Sequence, residues 1–462
     1  MRRTGRMMPN LTHFAVATAL IALPATAFAQ TIDVAALRDA ALKDELAWDI
    51  TEGLTTEVGP RLAGTEAEAR ARAWAVKKLT ALGFSNVRDE PFDMKTWVRG
   101  AETLEVLAPF PQPLRLTALG NSGATPATGL EGEIVYFTDL AALQAASEGS
   151  LKGKIAFVSH AMTRTQDGSQ YGAYGAVRRS GPATAAAKGA AGILIRSVGT
   201  DYHRNPHAGG TGFPDGVKPI PAAALSIPDA EQLERILKRG QPVKVRLTLT
   251  PRQIGTTKSG NVIAEVPGSD PAAGLVVVAC HLDSWDLGTG AFDDATGCGI
   301  VAAAAKRVME AGTPRRTIRI LWAGAEEVGI FGGKAYFDAH QGEKHALAAE
   351  SDFGADRVWR VDFKLPDSAK AVSERVASAL APLGIARGRT PAGGGADIAA
   401  LIASGVAGID LQQDGTRYFD LHHTPDDTLD KVDPVQLRQN VAAWTAMLAV
   451  VANAPEEIGS TK

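Results

Sequence analysis

Cysteine is nearly missing from this chain. There are two, Cys280 and Cys298, among 462 residues. That excludes a small disulfide-framed scaffold and a thiolate-built zinc module, both of which need several. Long apolar runs are scarce as well. The one stretch that approaches a membrane span lies before residue 30, is broken by Pro24, and falls short of the roughly 20 residues a spanning helix requires. Positive charge is not in excess: 48 basic against 51 acidic residues give a formal net charge of −3, which argues against nucleic acid as a partner. Internal repeats are lacking too, which excludes solenoids and propellers.

The N-terminus has a definite character. Arg2, Arg3 and Arg6 stand without acids, "FAVATALIALPATAFA" follows, and Ala27-Phe28-Ala29 gives a small-x-small site before Gln30. Residues 1–29 therefore read as a cleaved signal peptide. The mature protein is expected to be exported, periplasmic or secreted, with no stable membrane insertion. Removing three arginines takes the net charge from −3 to −6. The remaining 433 residues, from a chain with 45% hydrophobic residues, are enough for two domains.

Periodicity divides the mature chain. "GTEAEARARAWAVKKLTALGF" predicts a helix, with Thr65 and Glu68 as a capping box and Gly83 as its stop. From Gly129 the texture turns to short strands, "GEIVYF", "KGKIAFV", "AAGILIRSV" and "VKVRLTLT", between glycine-rich turns and the helical "PATAAAKGA". Residues 126–250 thus read as an inserted β-rich domain, splitting an N-terminal part (30–125) from the main catalytic domain (251–462). After "KSGNVIAEV", strands and helices alternate: "GLVVVAC", then "ATGCGIVAAAAKRVMEAG", then "RTIRILWAGA", then "VGIFGGKAYFDAH". That order predicts an α/β fold with a mixed, mostly parallel central sheet flanked by helices and ligands at the strands' C-terminal ends.

The segment "HLDSWDLGTGAFDD", His281 to Asp294, sets one histidine and four acids directly after an apolar strand. It offers no lysine or arginine to pair with them, and buried carboxylates need a partner. A metal cation supplies one. Further candidates lie after later strands: Glu326 and Glu327 in "LWAGAEE", Asp352 in "ESDFGAD", His423 in "DLHHTPDDT". Oxygen and imidazole donors without thiolate suit a hydrolytic zinc site. Asp293, Glu327 and Asp352 carry three negative charges and an activated water a fourth, which two divalent ions balance. Five ligand residues with one bridging would give each ion three. Any one of these acids alone reads more readily as a helix cap. His340 and His345 read as surface residues, and His160, His203 and His207 as structural or rim residues. Cys280 alternates away from His281; a bridge to Cys298 is open but not inferable.

Together, "CHLDSWD", "GAFDDATG", "AGAEEVGIFGG", "ESDFGAD" and "FDLHHTPDDT" resemble the co-catalytic di-zinc exopeptidases, a family that includes secreted bacterial leucine aminopeptidases and the plasma glutamate carboxypeptidase (carboxypeptidase Q) type. "HLDSWD" and "KSGNVIAEV" lean toward the latter type. "VGPRLAGT" resembles the family's N-terminal signature, and the inserted block its protease-associated domain. The resemblance spans nearly all of the mature chain. It implies a two-zinc peptidase of dipeptides or short peptides, with Asp293 bridging, His281 and Asp352 on one zinc, and Glu327 and His423 on the other. It implies Glu326 as general base, Asp283 as the acceptor that fixes the His281 tautomer, Tyr418 as an oxyanion donor, His422 near the substrate, and a cis bond between Asp293 and Asp294. A homodimer is left open. Two rivals share the fold: a non-catalytic receptor-like ectodomain, which would have lost ligands, and a single-zinc glutaminyl cyclase, which would lack the His281 equivalent. Side-chain preference and the peptide end that is read are not legible.

Overall fold

The computed structural model describes residues 1–2, 4–5 and 32–461. The expected signal segment therefore lies outside the described residues, apart from four terminal positions. Asp33–Lys462 forms one unit and Met1–Ile32 another. Among the described residues no helix is long and apolar enough to cross a membrane.

The larger unit holds two eight-stranded sheets. In the main sheet, Leu275–His281 lies between Thr317–Ala323 and His345–Glu350, parallel to both. Six of its seven residues are buried, which is why "LVVVACH" shows no polar alternation: both faces are covered. Gly408–Gln413 continues the parallel set beyond His345–Glu350. Antiparallel strands flank this centre, Arg252–Val266 and Ser85–Val98 on one side and Val358–Lys364 on the other, with the short Ala386–Arg387 parallel to the last at the edge. The sheet is thus mixed with a parallel centre, as the alternating pattern predicts.

Helices cover both faces. Thr296–Ala311, Pro434–Asn453 and Leu46–Gly53 pack together on one. Gly299 allows the closest of these approaches, since a Cβ there would lie 2.5 Å from the Ala47 carbonyl oxygen. On the other face Tyr336, Ile398 and Leu401 pack over Val277, Ala279 and Leu321. The predicted helix begins at Glu66, with Thr65 accepting from the Glu68 N–H. The reciprocal half of the box is displaced by one residue, because the Glu68 carboxylate accepts from Gly64 N instead of Thr65 N.

All eight strands of the second sheet lie between Val98 and Arg252, which pair with each other in the main sheet. Three of them, Glu102–Ala108, Gln112–Leu114 and Leu116–Ala118, precede residue 126, so the expected start of the block leaves them out. Their partners are remote in sequence (Leu104 pairs with Leu247 and Leu116 with Leu225), and no local pattern reveals that. Four central strands of this sheet are parallel, and helices Tyr171–Ala187 and Ile227–Leu237 lie among them, so it is less purely β than its sequence suggests.

Two histidines depart from expectation. His345 opens a central strand and is buried, and His340 is partly buried with its Nε2 2.8 Å from Glu90. His345 is covered because "HALAAE" forms a strand within the main sheet, and His340, at the end of the helix Phe331–His340, packs against Tyr336 with ring centroids 4.6 Å apart. Cys280 and Cys298 are joined as a disulfide.

Candidate metal centre

The parallel strands end on one edge of the main sheet, and the acids and imidazoles gather there. His281 is the last residue of its strand. Glu326 and Glu327 follow Thr317–Ala323, and Asp352 follows His345–Glu350. His423 arrives from Gly408–Gln413 by way of the single helical turn Tyr418–Leu421. Asp293 sits in the irregular segment Ala291–Ala295, with a cis peptide bond to Asp294. Asp294 accepts from the backbone N–H of His281 at 3.2 Å and of Gly297 at 3.1 Å, so it ties the strand's end to the next helix.

Asp293 faces two ways. Its Oδ1 lies 3.0 Å from His281 Nε2, which is also 3.3 Å from Asp352 Oδ1. Its Oδ2 lies 3.5 Å from His423 Nε2, which is 2.8 Å from Glu327 Oε2. The partner of each ring's other nitrogen sets the tautomer. His281 Nδ1 lies 3.0 Å from the Asp283 carbonyl oxygen, and His423 Nδ1 lies 3.2 Å from that of Ala208. Carbonyls only accept, so both Nδ1 atoms carry protons and both neutral rings turn Nε2 lone pairs toward carboxylate oxygens. Lone pairs thus face lone pairs on each side of Asp293, and its buried Oδ2 has no hydrogen-bond partner. Protonation relieves this only at His281. Burial works against its charge, but Asp352 and Asp293 push its pKa well above the ordinary value, whereas burial and Arg178 hold His423 well below. The donor set, carboxylate oxygens and imidazole nitrogens with no cation among them, fits divalent metal.

The surroundings are built for that charge. Burial pushes the Glu326 carboxyl well up and, against the pull of His281, Asp352 and Asp283 raise it further. Burial and Asp293 do the same to Glu327. Burial also works to raise Asp293, but His281, His423 and the Tyr418 hydroxyl hold it below the usual carboxylate range. Cations in the site would reverse the sign of these local fields.

Asp283 departs from its expected contact. The His281 ring bonds the Asp283 backbone carbonyl, and the carboxylate Oδ1 is 3.8 Å away. That same Oδ1 accepts from Glu326 N at 3.0 Å, so the side chain steadies the turn that carries Glu326. His422 stacks on His423 with ring centroids 3.4 Å apart, and Tyr418 lines the same cavity of about 660 Å³.

Several residues that hold the site were not singled out from sequence. Arg61, fully buried, donates to the carbonyls of Leu282 (2.5 Å), Thr289 (2.6 Å) and Gly290 (2.8 Å), pinning both ends of the loop before Asp293. Asp427 accepts from Phe292 N (2.6 Å) and Asp293 N (3.2 Å); burial, with Asp293 beside it, pushes its carboxyl up to about 7. The only signals were their places inside "VGPRLAGT" and "HHTPDDT". His207, read as structural or rim, is buried, with Nδ1 2.8 Å from the His422 carbonyl and Nε2 2.7 Å from Asp201. Arg178 and Tyr171, from the second sheet's longest helix, line the cavity opposite the carboxylates.

A donor set of this kind at the strand ends of this fold is what a metallopeptidase needs, and comparison with known proteins gives that class. The model of peptidase family M28 matches residues 261–448. Carboxypeptidase Q of Bos taurus is 34% identical over 406 residues, 87% of this chain and 84% of the relative. The crystal structure of a peptidase M28 precursor from Shewanella amazonensis is 47% identical, covers 92% of this chain and 97% of its own, and superposes with a TM-score of 0.90. BSAP, a zinc aminopeptidase from Bacillus subtilis, shares the fold at 19% identity and a TM-score of 0.66, covering 90% of this chain and 97% of its own. The chain belongs to peptidase family M28.

Proposed function

We propose that this protein is an exported zinc exopeptidase that hydrolyses dipeptides or short peptides with two zinc ions per chain. The observation that carries this reading is the two-sided placement of Asp293 between His281 with Asp352 and His423 with Glu327. The carboxypeptidase Q relative and the zinc aminopeptidase of like fold support the substrate class and the metal.

In this reading His281, Asp352 and Asp293 would hold one ion, and His423, Glu327 and Asp293 the other. When bound, two zinc ions supply Lewis acidity toward the scissile carbonyl and lower the pKa of a water toward neutrality. Glu326, outside the ligand set, takes a proton from the attacking water and delivers it to the leaving amine nitrogen. Asp283 positions Glu326 through its backbone N–H. Burial and the nearby carboxylates Asp293 and Asp352 push the Tyr418 phenol well above its usual pKa, so it remains a donor through the neutral range and can bond the developing oxyanion. The second sheet serves as a protease-associated-like domain that walls the cleft and admits only short peptides.

Metal analysis of the purified protein tests the core of this. Two zincs per chain, with dipeptide hydrolysis lost on chelation and restored by zinc, are expected. One zinc with cyclisation of N-terminal glutamine, or no zinc and no hydrolysis, would overturn it. A mature N-terminus at Gln30, read by mass spectrometry of exported material, checks the export.

A further inference from the structure

Of the two arginines that line the cavity, Arg178 and Arg179, only the first is buried, and the reaction as derived above makes no use of it. Arg178 sits on the helix Tyr171–Ala187, reaches the cavity wall and is 7% exposed. Among the described residues no carboxylate lies within ion-pair distance of it; the ion pairs of that helix's neighbourhood use other side chains. Its Nη2 donates to the Tyr171 hydroxyl, and its guanidinium carbon lies 5.4 Å from the centre of that ring. Tyr171 in turn stacks on Phe419 with centroids 4.8 Å apart, so the arginine is held from below by a packed aromatic pair. Gly209 makes room on another side, since a Cβ there would lie 2.5 Å from the guanidinium carbon.

The remaining donors are unspent. Arg178 Nε is buried without a hydrogen-bond partner. Nη1 lies 3.4 Å from His423 Nδ1, but that nitrogen already carries the proton directed at the Ala208 carbonyl and cannot accept. A buried guanidinium with open donors and no counter-charge is costly. A rigid fork of this kind matches a planar carboxylate in two-point fashion.

We infer that Arg178 anchors the free α-carboxylate of the substrate, making the protein a reader of the peptide's C-terminal end one residue beyond the scissile bond. The inference rests on the exopeptidase reading above. The oxyanion is the other negative charge the reaction presents, and the reading above gives it the Tyr418 hydroxyl as donor. Arg178 stands at the Nδ1 edge of the His423 ring, away from the Nε2 edge that faces Asp293 and Glu327, and lines the same cavity. The inserted sheet then does more than narrow the cleft: it selects substrates whose carboxylate is free and arrives at a fixed distance.

The test compares a free dipeptide with its C-terminal amide. In Arg178→Met the ratio of kcat/KM for free over amidated substrate should fall by about 100-fold, mostly through KM, as expected when a buried charge loses its partner. Arg178→Lys should restore part of the ratio. An equal fall on both substrates, carried by kcat, would make Arg178 an oxyanion donor and overturn the proposal. An equal fall with a lowered Tm would make it a packing residue and overturn it too. Calorimetric titration of Glu326→Gln with the same two ligands separates this from the functional reading. A preference for the free dipeptide that vanishes in Glu326→Gln/Arg178→Met is expected. Equal binding of both ligands to Glu326→Gln would overturn the anchor even where hydrolysis is found. Retained preference in a protein that hydrolyses no peptide would sink the peptidase reading and leave the anchor standing.

Discussion

The two sheets have the same number of strands and contribute to the cavity in opposite ways. The main sheet delivers groups from its strand ends. Its central strands are parallel and neighbouring, so His281, Glu327 and Asp352 converge because their strands end together. The second sheet delivers almost no acid to the cleft. It sends a helix bearing Tyr171 and Arg178, and the loop from His207 to Thr211, across the gap. Ala208 N bonds the His423 carbonyl at 2.9 Å, and His207 bonds that of His422. The first region concentrates charge for chemistry. The second supplies walls, orientation and the arginines Arg178 and Arg179, and its contribution is to say which molecule fits.

The sharpest break of this comparison is within the charged region. Glu326→Gln should keep both metals and the fold while losing turnover by about 10³-fold or more, because proton transfer is removed without touching a ligand. Zinc loss in this variant would exchange the roles of Glu326 and Glu327. Next in size, Asp293→Ala should empty both sides at once, whereas Asp352→Ala and His423→Ala each weaken one. Two cations a few ångströms apart repel strongly without a shared carboxylate between them. Zinc stoichiometry per variant decides this, and one tightly held zinc in Asp293→Ala would contradict a bridge.

A milder effect is expected across the boundary. His207→Ala removes one of the two contacts that fix the His422–His423 backbone from the second sheet, leaving the bond from Ala208 N. Zinc affinity or activity should fall by roughly 10- to 100-fold, the usual effect of losing a group that orients a ligand. Unchanged affinity would show that the two regions are independent.

The smallest effect lies away from the cleft. Burial, against the help of Ser259 and Arg72, raises the Glu68 carboxyl from 4.5 to about 7. A carboxyl whose pKa is raised by folding stabilises most when protonated, so its contribution is full below about pH 4.5 and is lost as pH rises through 7. Thermal melts of Glu68→Gln should therefore decline less between pH 5 and pH 8 than those of the parent. A parallel decline would place the pH dependence elsewhere.

Much of this was legible because strand ends leave a local signature. "LVVVACH" is apolar without alternation, so it had to be central, and the acids after it had to find a counter-charge. The same logic exposed Glu326, Glu327 and Asp352 one by one, each after its own strand. The sequence by itself determined the alternation of strand and helix, the donor types and hence the class of metal chemistry, since side-chain chemistry and local periodicity are properties of the chain. Only the tertiary structure decided which oxygen of Asp293 faces which histidine, that Asp283 holds Glu326 more than it holds His281, that residues 102–118 join the second sheet, and that Arg61, His207 and Arg178 reach the site. Those facts depend on pairings between residues as far apart as Arg178 and His423, and a pairing across hundreds of positions is fixed by packing, which no local stretch encodes.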